Sequence, residues 1–486
     1  GSVLMEYSPP AYALETDVVL SAVQWFDDDP ADYPLSYSFA YLTAGEAAST
    51  ALGKRSFAAS AQMLKPPQGN FTIICKVYDS FLAYTDANGT LEVLPAPPLT
   101  ADSTNALSAD IQRSIDEGNT DGSSQIVGSV ATTMNQQGAT EEGRRRLSEG
   151  GVDKAGFREN LLDFVVGTSG ASSADPLATQ QRAGVISTVA SNPDELSSGS
   201  MDKSANLVDG LIDTTSGAGG EMADGTGEAM LGAFGNVLRA TNTEANAARR
   251  RKRERRRVRR LSEVDGSLGD LVGPDGNVSV TSCGNLTINN ITGIANATTI
   301  DGNATNATLL CEVNGTTTHS DDEDDSILSN AVARSDKLRN STGKLTAVVG
   351  LSLTNGEAPR QVLSADLSMR VGKSDGCSLE GQPFDAPTAG PPTGGFELPA
   401  GTTCPSAARR LRRQRRQMQD ADGSVDGAAT EDASTTAGAS EAGSEIESAF
   451  TAFSVNPYQA AAENELATGV SSIVLKEGGV EKKVNI

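Results

Sequence analysis

Apolar and polar positions alternate with a period of two over the first hundred residues. Leu35, Tyr37, Phe39 and Tyr41 interleave with small or polar residues, and Phe71, Ile73, Cys75 and Val77 repeat the pattern. A row of side chains at every second position lines one face of a strand, so both runs are expected to put these residues in a core. Asn88-Gly89 reads as a turn before Leu91 to Pro95, because both residue types tolerate positive φ. Short strands separated by turn signals over residues 1–97 predict an immunoglobulin-like β-sandwich. The only tryptophan, Trp25, is expected to anchor its interior opposite Tyr37 or Phe39, since indoles dominate small cores. Exposed at a loop end, it would instead be a ligand contact.

After Pro95-Ala96-Pro97-Pro98 the period becomes helical. Leu107, Ile111 and Ile115 form one stripe, and Phe157, Leu161, Phe164 and Val165 form another, behind Asp153 as a cap. Asp175 before Pro176 opens a third helix through Val189, ending near Asn192-Pro193. Met201, Ala205, Val208, Leu211 and Ile212 make a fourth stripe, and Met230, Phe234, Val237 and Leu238 a fifth. Residues 98–262 are therefore expected to form a small helical bundle with basic loops. Strand-like runs return at Leu268 to Val272, Val278 to Ser282, Leu345 to Leu353, Gln361 to Val371, Ala449 to Val455, Val470 to Leu475 and Lys482 to Ile486. Residues 263–486 thus read as a β-rich unit, interrupted by an Asn/Thr-rich loop, the acidic run Asp321–Asp325 and the span from Gly381 to Glu447. These insertions carry too few apolar residues to fold alone. The expected whole is a multi-domain α+β chain.

Composition supports several modest cores rather than one compact enzyme: of 486 residues, 4% are aromatic and 50 are glycine. Formal charge is −24, yet Arg144–Arg146, Arg249–Arg260 and Arg409–Arg416 hold nearly half of the 39 Lys and Arg. Outside those runs the chain is strongly acidic, which disfavours a nucleic-acid surface. No stretch approaches the roughly 20 apolar residues that span a bilayer. The opening Gly1-Ser2-Val3-Leu4-Met5 lacks the basic start and apolar run of a secretory leader. Any membrane attachment is expected through segments outside these residues.

Asn-X-Ser/Thr occurs at Asn70, Asn88, Asn277, Asn285, Asn290, Asn296, Asn303, Asn306, Asn314 and Asn340. The density between 277 and 314 points to an exoplasmic, glycosylated loop, although a Thr/Asn-rich tract also generates such triplets by composition. Cys283 and Cys311 bracket most of that cluster, and Cys377 and Cys404 bracket a Pro/Gly-rich loop. Four cysteines allow three pairings. Neighbour pairing would staple both loops, each closure being worth about 3 kcal/mol in the chain-entropy model. Cys75 shares a strand face with Ile73 and Val77 and reads as a buried free thiol. One histidine, His319, and no short cysteine spacing argue against a metal site.

Arg250-Arg251-Lys252-Arg253, Arg257-Val258-Arg259-Arg260 and Arg413-Gln414-Arg415-Arg416 fit the R-x-K/R-R pattern of subtilisin-like processing proteases, with cleavage after Arg253, Arg260 or Arg416. Acidic subsites pair with each guanidinium of such a run. The alternatives are a solvated loop without specific function, or binding to an acidic polymer or partner. Arg-Arg-Leu-Ser-Glu, present at 145–149 and 259–263, also resembles a basophilic kinase site, which would need cytosolic exposure and conflicts with the sequons. Asp27-Asp28-Asp29 and Asp321–Asp325 lack the spaced ligands of a dedicated Ca²⁺ loop. The first is expected to hydrogen-bond turn amides, and the second to be a solvated charge run.

The Trp25-Phe26-Asp27-Asp28-Asp29 turn, Pro34-Leu35-Ser36-Tyr37-Ser38-Phe39 and the later Val77-Tyr78-Asp79 resemble the receptor-for-egg-jelly (REJ) region of polycystin-type receptors. Phe453-Ser454-Val455-Asn456-Pro457-Tyr458 and the following Val470-Ser471-Ser472-Ile473-Val474-Leu475 are similar to the GAIN β-subdomain of that family. The resemblance implies a ciliary or cell-surface location, adhesion or mechanosensory coupling, and a calcium-permeable polycystin channel subunit as partner. A structural glycoprotein of an extracellular matrix or ciliary appendage is the rival reading. A hydrolase is disfavoured by the single histidine and the lack of a triad pattern. GAIN domains can cleave themselves at His-Leu-Ser/Thr, but His319 precedes Ser320-Asp321 and the chain has no His-Leu pair. No catalytic residue and no cofactor is expected.

Overall fold

A computed structural model describes residues 1–44, 49–138, 153–169, 175–265, 321–375, 383–385, 395–397, 445–453, 470–477 and 480–482. Two compact units are distinguished, one comprising residues 1–244 with 330–486 and the other residues 245–329.

The first unit opens with two facing sheets. Strands β1 (Ser2–Glu6), β3 (Val18–Val23) and β6 (Ser60–Met63) form one, in the order β1-β3-β6. The other has the order β2-β8-β7-β4-β5, from β2 (Ala11–Tyr12), β4 (Ser36–Thr43), β5 (Thr50–Ala51), β7 (Gly69–Tyr78) and β8 (Tyr84–Leu94). The period-two reading holds for β7, where Phe71, Ile73, Cys75 and Val77 are buried with Leu91 and Val93 of β8 and meet Val18, Leu20 and Met63 of the facing sheet. It holds only in part for the first run, since Phe39 is buried but Leu35, Tyr37 and Tyr41 are half-buried against the same core, and Ser36 and Ser38 are buried as well. Tyr41 meets Phe71 edge-on, with ring centroids 5.3 Å apart, the favoured quadrupolar arrangement.

Two further details differ from the expectation. Asn88-Gly89 is not a turn but the middle of β8, where Ile73 pairs with Gly89 and Ile74 with Asn88. The hairpin closes instead at Asp79–Ala83, where the Asp79 carboxylate accepts from the amides of Phe81 and Ala83 at 2.8 and 2.9 Å. Glycine at 89 serves packing, because a Cβ there would lie 2.9 Å from Met5 Cε and 3.3 Å from Val3 Cγ1 of β1. Trp25 is half-buried rather than interior; it packs on the rim of the core and donates its indole N–H to the Ser2 carbonyl at 3.3 Å.

Helices α1 (Ala101–Asp116), α2 (Thr120–Gly138), α3 (Lys154–Ser169), α4 (Pro176–Val189), α5 (Ser198–Gly217), α6 (Thr226–Asp265) and α7 (Asp321–Leu351) follow. The expected caps are present. Asp153 accepts from the Gly156 amide at 3.0 Å, and Asp175 from Leu177 and Ala178 at 2.9 and 3.1 Å. Helix α2 has no counterpart in the sequence reading; Ile126, Val130 and Met134, four apart and buried, are diluted there by Ser, Thr and Gln. Leu345 to Leu353, expected as a strand, lies largely in α7. Its β-branched run favours a strand locally, but Leu338, Leu345 and Val349 are buried at helical spacing, and burial outweighs propensity differences of a few tenths of a kcal/mol.

A β-sheet of order β15-β14-β13-β10-β9 completes this unit: β9 (Arg360–Leu363), β10 (Leu367–Asp375), β13 (Glu445–Phe453), β14 (Val470–Glu477) and β15 (Val480–Lys482). All four pairings are antiparallel. The run Gln361 to Val371 is thus a hairpin, not one strand. A separate antiparallel pair joins β11 (Pro383–Asp385) to β12 (Gly395–Glu397). Val362, Leu367, Met369, Val371 and Phe453 belong to the same hydrophobic cluster as the helices. The Leu268 to Val272 and Val278 to Ser282 runs lie outside the described residues.

Polar side chains join these layers. Gln125 of α2 donates to the Leu52 carbonyl at 2.6 Å and accepts from the Leu64 amide at 2.8 Å, Gln136 donates to Gln68, and Gln180 of α4 donates to Ser49. Each satisfies a backbone group at the sandwich edge that burial would otherwise leave unpaired. Arg158 of α3 is wholly buried. Its guanidinium donates to Glu195 at 2.9 Å, the Val189 carbonyl at 2.7 Å and Asn135 at 2.6 Å. Arg334 of α7, also buried, is held by Asp202 at 2.7 Å, Ser198 Oγ at 2.9 Å and Glu244 at 3.2 Å.

Arg158→Ala is expected to cost about 3 kcal/mol, since removing one partner strands Asn135 and a helix-end carbonyl; urea denaturation followed by circular dichroism checks this. Within the sandwich, Phe71→Ala should cost about 3–5 kcal/mol, and Trp25→Ala less than half as much as Phe71→Ala. Equal losses for the two would place the indole in the interior after all.

Candidate functional site

The described sequons all face solvent. Asn70 on β7 and Asn88 on β8 lie on the outer face of the five-stranded sandwich sheet, opposite the row of Phe71, Ile73 and Cys75, and both are exposed. Asn340 is exposed on α7. Asn277, Asn285, Asn290, Asn296, Asn303, Asn306 and Asn314 lie outside the described residues, as do Cys283, Cys311, Cys377, Cys404, Arg416, His319 and the Asn456-Pro457-Tyr458 element. Cys75 is a free, fully buried thiol, and burial pushes its pKa up to about 11. At neutral pH it stays protonated and unreactive.

The basic run does not form a loop in the described residues. From Arg249 onward it continues α6 as helix, with Arg253 exposed on it; Arg260 is also helical. The acidic run is likewise structured. Asp321–Asp325 begins α7, and the Asp324 side chain is fully buried between two guanidiniums. Arg251 Nε meets Asp324 at 3.0 Å, Arg255 pairs with its second oxygen, and Lys252 pairs with Asp325. All these residues belong to the second unit. The solvated-run reading fails for Asp324 because a buried carboxylate requires this pairing. Acids in the first turn of α7 also complement the positive end of its dipole.

The acidic turn does what its composition suggested. Asp27 accepts from the Asp29 amide at 3.0 Å and Asp29 from Ala31 at 2.9 Å, while the Asp27 amide donates to the Tyr33 hydroxyl at 2.9 Å. Asp32 titrates above the usual carboxylate range through desolvation and the nearby charges of Asp27, Asp29 and Asp79. No group of three or more His, Cys, Asp or Glu able to hold a metal exists among the described residues.

A cleft of about 430 Å³ lies where the sandwich meets α2, lined by Tyr37, Lys54, Ser60, Gln62, Asp121 and Gln125, among others. Asp121 accepts from the Lys54 amide at 3.4 Å and Gln125 spans the floor. This arrangement can make polar contacts, but it aligns no nucleophile with a base. Sequence reading missed it because its walls come from β4, β6 and a helix that the periodicity did not disclose.

Residues 7–129 match the family model described as REJ domain. The match takes in the sandwich from β2 onward, α1 and the first half of α2, and so spans this cleft. No curated protein matches the sequence. Among solved structures, the crystal structure of a family 76 glycoside hydrolase from a bovine Bacteroides thetaiotaomicron strain is similar over 49% of this chain and 63% of its own, at 11% identity and a TM-score of 0.13. The chain therefore spans less than two thirds of that structure, and a likeness so slight carries no argument about fold or function. The REJ match is consistent with a polycystin-type extracellular region. No helix among the described residues is long and apolar enough to cross a membrane.

The pairing of Asp324 yields a test. Cleavage concentrates where a chain is exposed and unfolded, so folded protein should resist a subtilisin-like processing protease after Arg253. Asp324→Ala removes the partner of Arg251 and Arg255 and should raise the cleavage rate there by about an order of magnitude, read by timed digestion and mass spectrometry. Equal rates for the two proteins would mean that the ion pairs do not protect the helix.

Proposed function

We propose that this chain is part of the exoplasmic region of a polycystin-type receptor or channel-associated membrane protein, acting in adhesion or mechanosensory coupling at the ciliary or cell surface. The observation that carries this reading is the REJ match over residues 7–129, on a two-sheet sandwich whose core takes in Phe39 and Val77 of the resembling motifs. A helical layer followed by an antiparallel sheet supports the GAIN-like reading of the remainder. In this reading the unit is non-catalytic and needs no cofactor. It binds no nucleic acid, reaches the membrane through segments outside these residues, and engages a polycystin-type channel subunit or an extracellular glycoprotein. The sandwich is the immunoglobulin-like member, and Cys283–Cys311 with Cys377–Cys404 supply loop-closing bridges.

Exposure of Asn70, Asn88 and Asn340 agrees with an exoplasmic surface. In protein from its native cells, glycopeptide mass spectrometry should find sugar on Asn285, Asn290 and Asn296; uniformly bare sites would count against the exoplasmic assignment. Alkaline carbonate extraction of the same cells separates the two function classes. A membrane-anchored receptor stays with the pellet, whereas release into the supernatant would favour a matrix or appendage glycoprotein.

A further inference from the structure

Three arginines in the helical layer are almost sealed from water: Arg158, Arg334 and Arg182. The first two are surrounded by carboxylates and backbone oxygens. Arg182 is not. It is 4% exposed, its Nη1 has no hydrogen-bond partner among the described residues, and no described carboxylate lies within ion-pair distance. Burial lowers its pKa from the ordinary guanidinium value, and the charge of Asp121 only partly offsets this. Proteins rarely leave a buried cation without a counter-charge, because its lost hydration is not repaid.

Arg182 lines a cavity of about 470 Å³ between α3, α4 and α5. Most of its exposed wall is apolar, from Val165 and Val166 of α3, Ile186 of α4, and Leu207 and Leu211 of α5, while Asp163, Asn206 and Thr214 add polar groups to the lining. At Gly210 a Cβ would meet no atom within 4 Å, so this wall is kept open by a missing side chain. The second cation lining the cavity, Lys203, is already engaged by Asp163 at 2.7 Å and Glu159 at 3.0 Å. The volume falls within the roughly 300–1,000 Å³ of small-molecule sites, whose usual makeup is a mainly apolar wall with a few polar groups. Of the three charged residues here, Asp163 and Lys203 pair with each other and Arg182 is left without a counter-charge. A guanidinium favours carboxylate or phosphate, which it meets with two parallel hydrogen bonds.

We propose that this cavity binds a single-chain amphiphile with an anionic head, the head paired with Arg182 and the chain lying against Val165, Ile186 and Leu211. A free fatty carboxylate and a phosphate monoester share this chemistry. The proposal does not depend on the receptor assignment, since the cavity lies outside the REJ-matched residues.

Isothermal titration calorimetry of the whole chain with decanoate, decyl phosphate and decanol, each below its micelle concentration, tests it. One of the anions should bind saturably at a single site, about tenfold or more tighter than decanol, as expected for a hydrogen bond to a charged group. Whichever anion binds better identifies the head group. Arg182→Met should erase that preference while leaving decanol binding unchanged, and Gly210→Leu should abolish binding of all three. Gly210→Leu replaces a helical glycine by a good helix former, so it decides the matter even if Arg182→Met fails to fold. The proposal is overturned if no anion binds, if the anions bind no tighter than decanol, or if either folded variant binds like the wild type.

Discussion

The Arg158 guanidinium joins three helices of one hydrophobic cluster through polar groups that apolar contacts cannot satisfy. It reaches Asn135 of α2, the last carbonyl of α4 and Glu195 in the turn that leads to α5. Glu195 in turn takes Lys154 at 3.0 Å. The last carbonyls of a helix have no partner within it, and the dipole is negative there. A cation planted at the end of α4 therefore answers both needs, and places three helices and a connection in register. With only 4% aromatic residues, few large side chains are available to do this by shape.

The same economy explains the junction between sandwich and helices. The helix faces there are built of Ser, Thr, Gln and small apolar residues, so glutamine amides meet the sandwich-edge carbonyls and amides directly. Such contacts are directional and strand a buried polar group if either side moves. The REJ match ends within α2 rather than at the last sandwich strand, so the matched region includes Gln125 and the edge it caps.

Charge is used in the opposite way in the second unit. In a strongly acidic chain, the basic stretch of α6 would be extended by its own repulsion if left alone. Asp324 and Asp325 provide counter-charges, and one carboxylate serves two guanidiniums. The processing motif ending at Arg253 and the acidic run are thus two halves of one ion-paired arrangement, so the accessibility of the motif depends on a residue about seventy positions away.

Several elements were determined by the sequence itself, because local rules and tertiary burial agree there. The odd positions of β7 pack inward as alternation demands, Asp175 and Pro176 open α4, and Met201 to Ile212 line one side of α5. The exposed Asn70, Asn88 and Asn340 were legible as sequons, as was the acidic turn whose carboxylates bond their own amides. Tertiary structure alone decided the rest. Leu345 to Leu351 is helical because its neighbours bury it at helical spacing, and Asn88-Gly89 is strand because Met5 and Val3 need the space that glycine leaves. Asp324 is buried because two arginines far away in sequence come to meet it. Arg182 gives no local sign of isolation, since a side chain's lack of a partner depends on every element around it, which no window of sequence contains.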